Sequence, residues 1–312
     1  MALRYNAHSK PLPNAVSDMS NPPWHILGFG VIGQLLHAEF CQSGQQCVVI
    51  PKPNQPVPAS HTVQYQTHTE SLDIKPFTPS DSIVERLIVS TKSYEVVEAI
   101  TSIKQTLSPQ AQIIIMVNGL VDTSDIAEIT TGSVYWALTT KGGYRTAAYN
   151  TVHGGSGITR LGSGAEPNWF NEWQGAVKNS YWHTDIDPFR WEKLCVNAVI
   201  NPLTALYQCH NGELANSKFK TSTQTSINEA AAILEALGFR QQAQNFNDTC
   251  WEVIGKTGAN RSSMLQDVSL NRRTELSTIL PPLLSAATQH RVPTPQLKQT
   301  LGTFKQRFSK LC

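Results

Sequence analysis

The chain reads as an α/β protein in two parts: an open, mostly parallel sheet domain followed by an all-helical domain. Three observations predict this. Short Val- and Ile-rich segments alternate with helical spacers through the first half. A glycine-rich turn joins the first strand to the first helix. After Phe189 the strand signals stop and helical patterning takes over. The predicted parts are a lead-in over 1–22, a sheet domain over 23–186 and a helical domain over 187–312, with the change near Asp185 to Pro188.

The lead-in, MALRYNAHSKPLPNAVSDMSNP, is polar and dotted with proline. It lacks the apolar core of a secretory signal and reads as a flexible or loosely packed segment. Trp24 to Leu27 then reads as a short buried strand. Gly28-Phe29-Gly30-Val31-Ile32-Gly33 follows, then a helix from Gln34 to Ser43, a stop at Gly44 and a second strand from Cys47 to Ile50. This is GxGxxG in its required setting, between a strand and a helix in a Rossmann-like βαβ unit. Gly28 allows the tight turn, Gly30 lets backbone approach a pyrophosphate, and Gly33 lets helix and strand pack closely. The helix start adds free N–H groups and a positive dipole end for the phosphates. The six residues Gly28 to Gly33 are therefore the expected dinucleotide contacts.

The end of the second strand separates cofactors. NAD sites place Asp or Glu there for the ribose 2′-OH. This chain has no acidic residue between Glu39 and Glu70, and Lys52 lies two positions past the strand. A cation with no opposing carboxylate suits the 2′-phosphate of NADP(H). A solvated loop lysine is the plainer reading of Lys52. Further strands are expected at Arg86 to Ser90, Gln112 to Val117 and Val134 to Thr139, with a helix from Tyr94 to Leu107. Lys92 and Asn118 fall just past the carboxyl ends of two of these strands, where open α/β sheets bind ligands. Asn118-Gly119 also fits an ordinary turn. Tyr144 to Leu161 reads as a hairpin with the turn HGGSG, finishing this domain with an antiparallel edge.

Helices are expected at Phe189 to Tyr207, Thr223 to Leu237, Gln241 to Ile254, Ser263 to Asn271, Thr274 to Ala287 and Leu297 to Lys310. The first carries Lys193, Asn197 and Asn201 at i, i+4 and i+8 within an apolar run. This spacing puts all three on one face. A lysine and two amides on a buried stripe are costly unless something polar meets them, and a polar substrate would. Asparagines that cap a neighbour and a lysine that snorkels to solvent give the structural alternative. Pro202 predicts a kink or pause just after Asn201. A second polar cluster runs from Asn260 to Asp267. Ser262 or Ser263 suits an N-cap, with Gln266 or Asp267 closing a capping box, which leaves one serine free for a ligand. Glu275 alone would pass as a surface acid.

Composition narrows the functional classes. The chain has 312 residues, 40% hydrophobic and 15% charged, with a net charge of +2. That balance gives no reason to expect nucleic acid or an anionic membrane as partner. No apolar run approaches the ~18 residues of a membrane span. Six scattered cysteines with no CxxC pair argue for free thiols in a reducing, cytoplasmic setting and against a metal site. Cys195 has no matched base nearby and is a poor nucleophile candidate.

Three motifs together resemble the ketopantoate reductase (2-dehydropantoate 2-reductase) family, over nearly all of residues 23 to 310. They are GFGVIG at Gly28 to Gly33, KLCVNAVINPLTAL from Lys193 with NGEL from Asn211, and NRSSMLQDV from Asn260 with RRTE ending at Glu275. The resemblance implies NADPH-dependent reduction of ketopantoate to (R)-pantoate, towards pantothenate and coenzyme A. Lys193 matches the family's catalytic lysine. Asn118, Asn197, Asn201, Asn211, Asn260 and Ser263 match its substrate contacts. Glu275 matches a glutamate near the cofactor ribose and the closing cleft, and is expected to act with Lys193. Lys52, Lys92, Asn118 and Gly142 match cofactor positions. Val117 stands where many members have glutamine. The expected assembly is a monomer or homodimer. Rival readings are an NADP-dependent reductase of another 2-keto or 3-hydroxy acid, with Arg261, Arg272 and Arg273 serving a phosphorylated substrate, and a non-catalytic NADP(H) sensor.

Overall fold

A computed structural model describes residues 21–52, 55–79 and 83–312, so most of the predicted lead-in lies outside the described residues. The chain builds a seven-stranded sheet in the order β11-β10-β7-β6-β5-β1-β2. Its strands are β1 (Trp24–Leu27), β2 (Cys47–Ile50), β5 (Val84–Val89), β6 (Leu107–Met116), β7 (Ser133–Thr139), β10 (Thr159–Gly162) and β11 (Ser180–His183). The run from β2 through β7 is parallel, and β10 is antiparallel to β7. β1 and β2 are buried along their whole length, as expected of parallel strands covered on both faces. One face carries an aromatic layer in which Trp24 meets Trp169, Trp173 and Phe40.

The chain turns outward from β1 to β2 on one side and to β5 on the other. The switch point therefore lies between the carboxyl ends of β1 and β5, where a crevice opens. The helix α1 (Val31–Gln42) starts there. A second sheet, in the order β4-β3-β9-β8, covers α1; it comprises β3 (Ser60–Gln64), β4 (Thr69–Asp73), β8 (Gly143–Ala147) and β9 (Asn150–His153). Leu35 and Ala38 of α1 pack on Val63 and Leu72 of this sheet. Beside them His37 and His61 face each other at 2.9 Å. Burial pushes both imidazoles down to about 4.

Two expectations for this half need correction. The hairpin after Tyr144 does not edge the main sheet: β8 and β9 leave it for the second sheet, and only β10 returns, inside an edge formed by β11. The helix expected from Tyr94 to Leu107 is broken into a 3-10 turn (Ser93–Glu95), α2 (Val96–Ser102) and a second 3-10 turn (Lys104–Thr106), so that β6 begins at Leu107.

The second half is helical: α5 (Asp187–Tyr207), α6 (Ser217–Ala236), α7 (Arg240–Lys256), α8 (Ser263–Ser269), α9 (Leu276–Gln289) and α10 (Pro295–Arg307). The two shorter helices α3 (Thr123–Ala127) and α4 (Phe170–Ala176) belong to the first half. α5 runs through the middle of the bundle and packs with α6, α7, α8, α9 and α10. The pause expected at Pro202 as one alternative is absent; the helix continues through it to Tyr207. Proline removes one N–H bond. Leu203, Ala205 and Leu206, all buried in the bundle core, hold the last turns in place. The buried carboxylate of Glu229 accepts the N–H groups of Gln296 and Leu297 at 2.8 Å and caps α10.

Backbone and side-chain hydrogen bonds and ion pairs join the two halves. Glu275 Oε1 accepts from the Ser93 N–H (3.0 Å) and hydroxyl (2.7 Å). The Leu120 N–H donates to the Thr278 carbonyl at 2.9 Å. A Cβ on Gly119 would lie 2.3 Å from Thr278 Oγ1, so this close approach requires glycine. Lys92 donates to Asp267 at 2.7 Å, and Arg272 meets the same carboxylate at 3.0 Å.

Candidate active site

A cavity of about 650 Å³ runs from the glycine turn to the seam with the helices. Its size lies within the range of ligand pockets, about 300–1,000 Å³. Gly28, Phe29, Gly30, Val31, Ile32, Lys52, Lys92, Asn118, Gly142, Lys193, Ser263 and Glu275 all line it. Gly33 does not, and its place explains why. A Cβ there would lie 2.2 Å from the Gly28 carbonyl oxygen, so Gly33 serves helix-to-strand contact. Gly28 has φ +100°, and its Cβ would lie 2.6 Å from the Thr91 nitrogen. Gly30 faces open space, and no side chain caps the helix that starts at Val31. Gln34 braces the turn by donating to the carbonyls of Phe29 and Ala148, both at 3.1 Å. Close packing behind, open N–H groups in front and the cavity volume fit a dinucleotide.

Lys193 enters from α5. Its Nζ donates to the Thr139 carbonyl, at the end of β7, at 2.9 Å. Burial lowers its pKa to about 8, and the Glu275 carboxylate opposes that shift. Lys193 and Asn118 also line a second cavity of about 20 Å³, with Arg190 and Trp136. That volume holds about one water. The Arg190 guanidinium lies 3.7 Å over the Trp136 ring.

The predicted stripe sits on α5, with Asn197 one turn beyond Lys193 and Asn201, buried, one turn further. Asn197 Nδ2 is buried without a partner. Asn211 is buried in the 3-10 turn Asn211–Ala215, and its N–H donates to the Asn260 carbonyl at 3.0 Å. Its Nδ2 donates to Thr257 at 2.9 Å, while Oδ1 is buried and unpartnered. Asn260 is exposed. These four asparagines lie outside the wall of the large cavity, which Ser263 reaches.

Ser262, not Ser263, caps α8, accepting from the Leu265 N–H at 3.1 Å. The expected capping box does not close. Gln266 donates instead to the Arg261 carbonyl, and Asp267 is held by Lys92 and Arg272. Ser263 is thereby left free beside the cavity. The premise that no carboxylate opposes Lys52 is also overturned. Lys52 Nζ donates to Glu95 Oε1 at 2.8 Å and Oε2 at 2.9 Å. Glu95 comes from the turn after β5, so a search along β2 cannot find it. Ser93 and Asp267 were likewise missed as partners of Glu275 and Lys92. Ser93 stands directly after Lys92 at a strand's carboxyl end, and that position was the available signal.

Among the described residues, no group of three or more His, Cys, Asp or Glu side chains is placed to hold a metal ion. No helix among them is long and apolar enough to cross a membrane. The cysteines are free, and burial raises the Cys195 thiol far above its ordinary range.

Residues 24–166 match the family model described as ketopantoate reductase PanE/ApbA, and residues 185–307 match its C-terminal model. The 2-dehydropantoate 2-reductase of Salmonella typhi is 31% identical over 299 residues, spanning 91% of this chain and 95% of that protein. The Vibrio cholerae enzyme of the same name is 29% identical over 296 residues, spanning 91% and 98%. Among solved structures, D-mandelate dehydrogenase with NADH and anilino(oxo)acetate superposes with a TM-score of 0.82 at 18% identity, covering 93% of this chain and 99% of that one. That likeness shows the fold. With both family models in register along the chain and a cavity that fits a nicotinamide dinucleotide, this protein is an oxidoreductase belonging to the ketopantoate reductase PanE/ApbA family.

Proposed function

We propose that the protein reduces 2-dehydropantoate (ketopantoate) to (R)-pantoate with NADPH, on the way to pantothenate and coenzyme A. In this reading residues 23–186 hold the dinucleotide, residues 187–312 supply most substrate contacts, and Lys193 is the general acid. One observation carries it. A half-buried lysine, with its pKa lowered to about 8, lines the same cavity as the glycine turn.

NADPH, when bound, supplies the hydride to the ketone carbon. Negative charge then grows on the ketone oxygen and needs a proton donor. Lys193 is largely protonated at pH 7, yet acidic enough to release the proton as that charge forms. The Thr139 carbonyl fixes the direction of its Nζ. Glu275, latched by Ser93, favours the charged lysine. Ser263 and Asn260 hold the substrate carboxylate or hydroxyl, and Asn118, Asn197, Asn201 and Asn211 orient it. Asn118, Lys193 and Ser263 support this assignment by lining the cavity, whereas Asn197, Asn201, Asn211 and Asn260 lie outside its wall and are assigned by the family motif alone. Gly28 to Gly33, Lys52, Lys92 and Gly142 are assigned to the cofactor.

The test follows NADPH absorbance with ketopantoate, using 2-ketoisovalerate as the control and NADH for comparison. Rapid oxidation of NADPH by ketopantoate alone supports the full reading. Turnover with a different keto acid only moves the substrate assignment. Tight NADPH binding with no turnover on any keto acid refutes it.

A further inference from the structure

Sites that prefer NAD keep a carboxylate at the end of the second strand, where it accepts from the ribose 2′-OH. This chain has none on that strand or in the residues just after it. The fold brings one in from elsewhere. The loop after β5 crosses the end of β1 and lays Glu95 against Lys52, which follows β2. Both carboxylate oxygens of Glu95 are within 2.9 Å of Lys52 Nζ. Both residues line the large cavity. Lys52 is half exposed, at 51%, and Glu95 at 29%, so a ligand in the cavity can reach the pair.

We propose that Glu95 is a specificity-determining residue that weakens selection for the 2′-phosphate and leaves the site tolerant of NADH. This rests on the reading that Lys52 meets the adenosine ribose. The physical reason is competition. A 2′-phosphate carries nearly two negative charges and seeks the same ammonium that Glu95 already holds. It must displace the carboxylate and then remain beside it, at the cost of like-charge repulsion. A ribose 2′-OH has no such conflict. It donates to a free lone pair of Glu95 while the ion pair stays intact. Glu95 therefore disfavours NADPH without opposing NADH.

The test measures Kd for NADPH, NADH, 2′,5′-ADP and 5′-AMP by titration calorimetry on the full chain. It compares wild type, Glu95→Gln, Lys52→Ala and the double variant. Glu95→Gln keeps the shape and a hydrogen bond but removes the charge. It is expected to tighten NADPH and 2′,5′-ADP by about 5- to 10-fold, the scale of one exposed ion pair plus one like-charge contact. NADH and 5′-AMP should change by less than about 2-fold, since they lack the 2′-phosphate. In the Lys52→Ala background the effect should shrink, because the carboxylate has no cation left to occupy. Equal changes for NADPH and NADH, or none for either, overturn the role of Glu95 while leaving that of Lys52 intact. If Lys52→Ala alone leaves the NADPH-to-NADH ratio unchanged, the reading of Lys52 fails, and the proposal fails with it. Thermal melts of the four proteins show whether any loss comes from misfolding.

Discussion

Replacing Lys193 by methionine should abolish activity and stabilise the fold. The lysine titrates near pH 8 in the folded protein, against an ordinary value of 10.5. That difference means the folded state opposes the charge by about 3 kcal/mol, at about 1.4 kcal/mol per unit. The sign follows from proton counts. Between pH 8 and 10.5 the unfolded chain binds more protons at this residue, so wild-type stability rises with pH through that window. Below pH 8 the full cost is present. Methionine keeps the apolar stem and removes the charge. It also leaves the Thr139 carbonyl without its Nζ donor, which costs about 1 kcal/mol. The net expectation at pH 7 is a gain of about 2 kcal/mol, falling to a loss of about 1 kcal/mol near pH 10.5. Urea unfolding of both proteins at pH 7 and pH 10 measures this, with kcat followed in parallel. Turnover should fall by at least ~10²-fold, the scale for losing a general acid. A variant less stable than wild type at pH 7, with no change in the difference at pH 10, refutes the reasoning that Lys193 is held charged against its burial. Near-normal turnover removes it as the acid.

Because the acid form of Lys193 is the active one, kcat/KM should fall tenfold per unit above about pH 8. Glu275→Gln removes the carboxylate that favours the charged lysine, so the alkaline limb of that profile should move to lower pH; an unmoved limb means that Glu275 and Lys193 do not interact. The same substitution weakens acceptance from the Ser93 N–H and hydroxyl and should cost about 1–3 kcal/mol in urea unfolding. Gly33→Ala should destabilise by at least about 2 kcal/mol, because its Cβ meets the Gly28 carbonyl oxygen at 2.2 Å and backbone must shift. Gly30→Ala has open space and should change stability by less than about 0.5 kcal/mol, yet weaken NADPH binding at least ~10-fold by crowding the phosphates. Melting curves paired with cofactor titration separate the two glycines.

The βαβ unit around Gly28 to Gly33 and the helical second half were legible because their signals are local. Glycine spacing and buried apolar runs act over a few residues, and helical periodicity over a few turns. The stripe of Lys193, Asn197 and Asn201 was legible for the same reason, since a helix converts i, i+4 spacing into one face. The second sheet was not. SHTVQ and TESLD are polar and each buries at most two side chains; they pair with each other in a hairpin, and SHTVQ is held in a sheet by the distant strand β9. Pro202 does not end α5, because its local cost is real but packing around the helix outweighs it. The ion pairs and latches lay furthest from reach. Glu95 on Lys52, Asp267 on Lys92 and Ser93 on Glu275 join residues 43, 175 and 182 positions apart. The sequence by itself determined which residue types were available and which face of each element they occupy. Only the tertiary structure decided which charges meet, because Coulomb and hydrogen-bond energies depend on distance in space and not on separation along the chain.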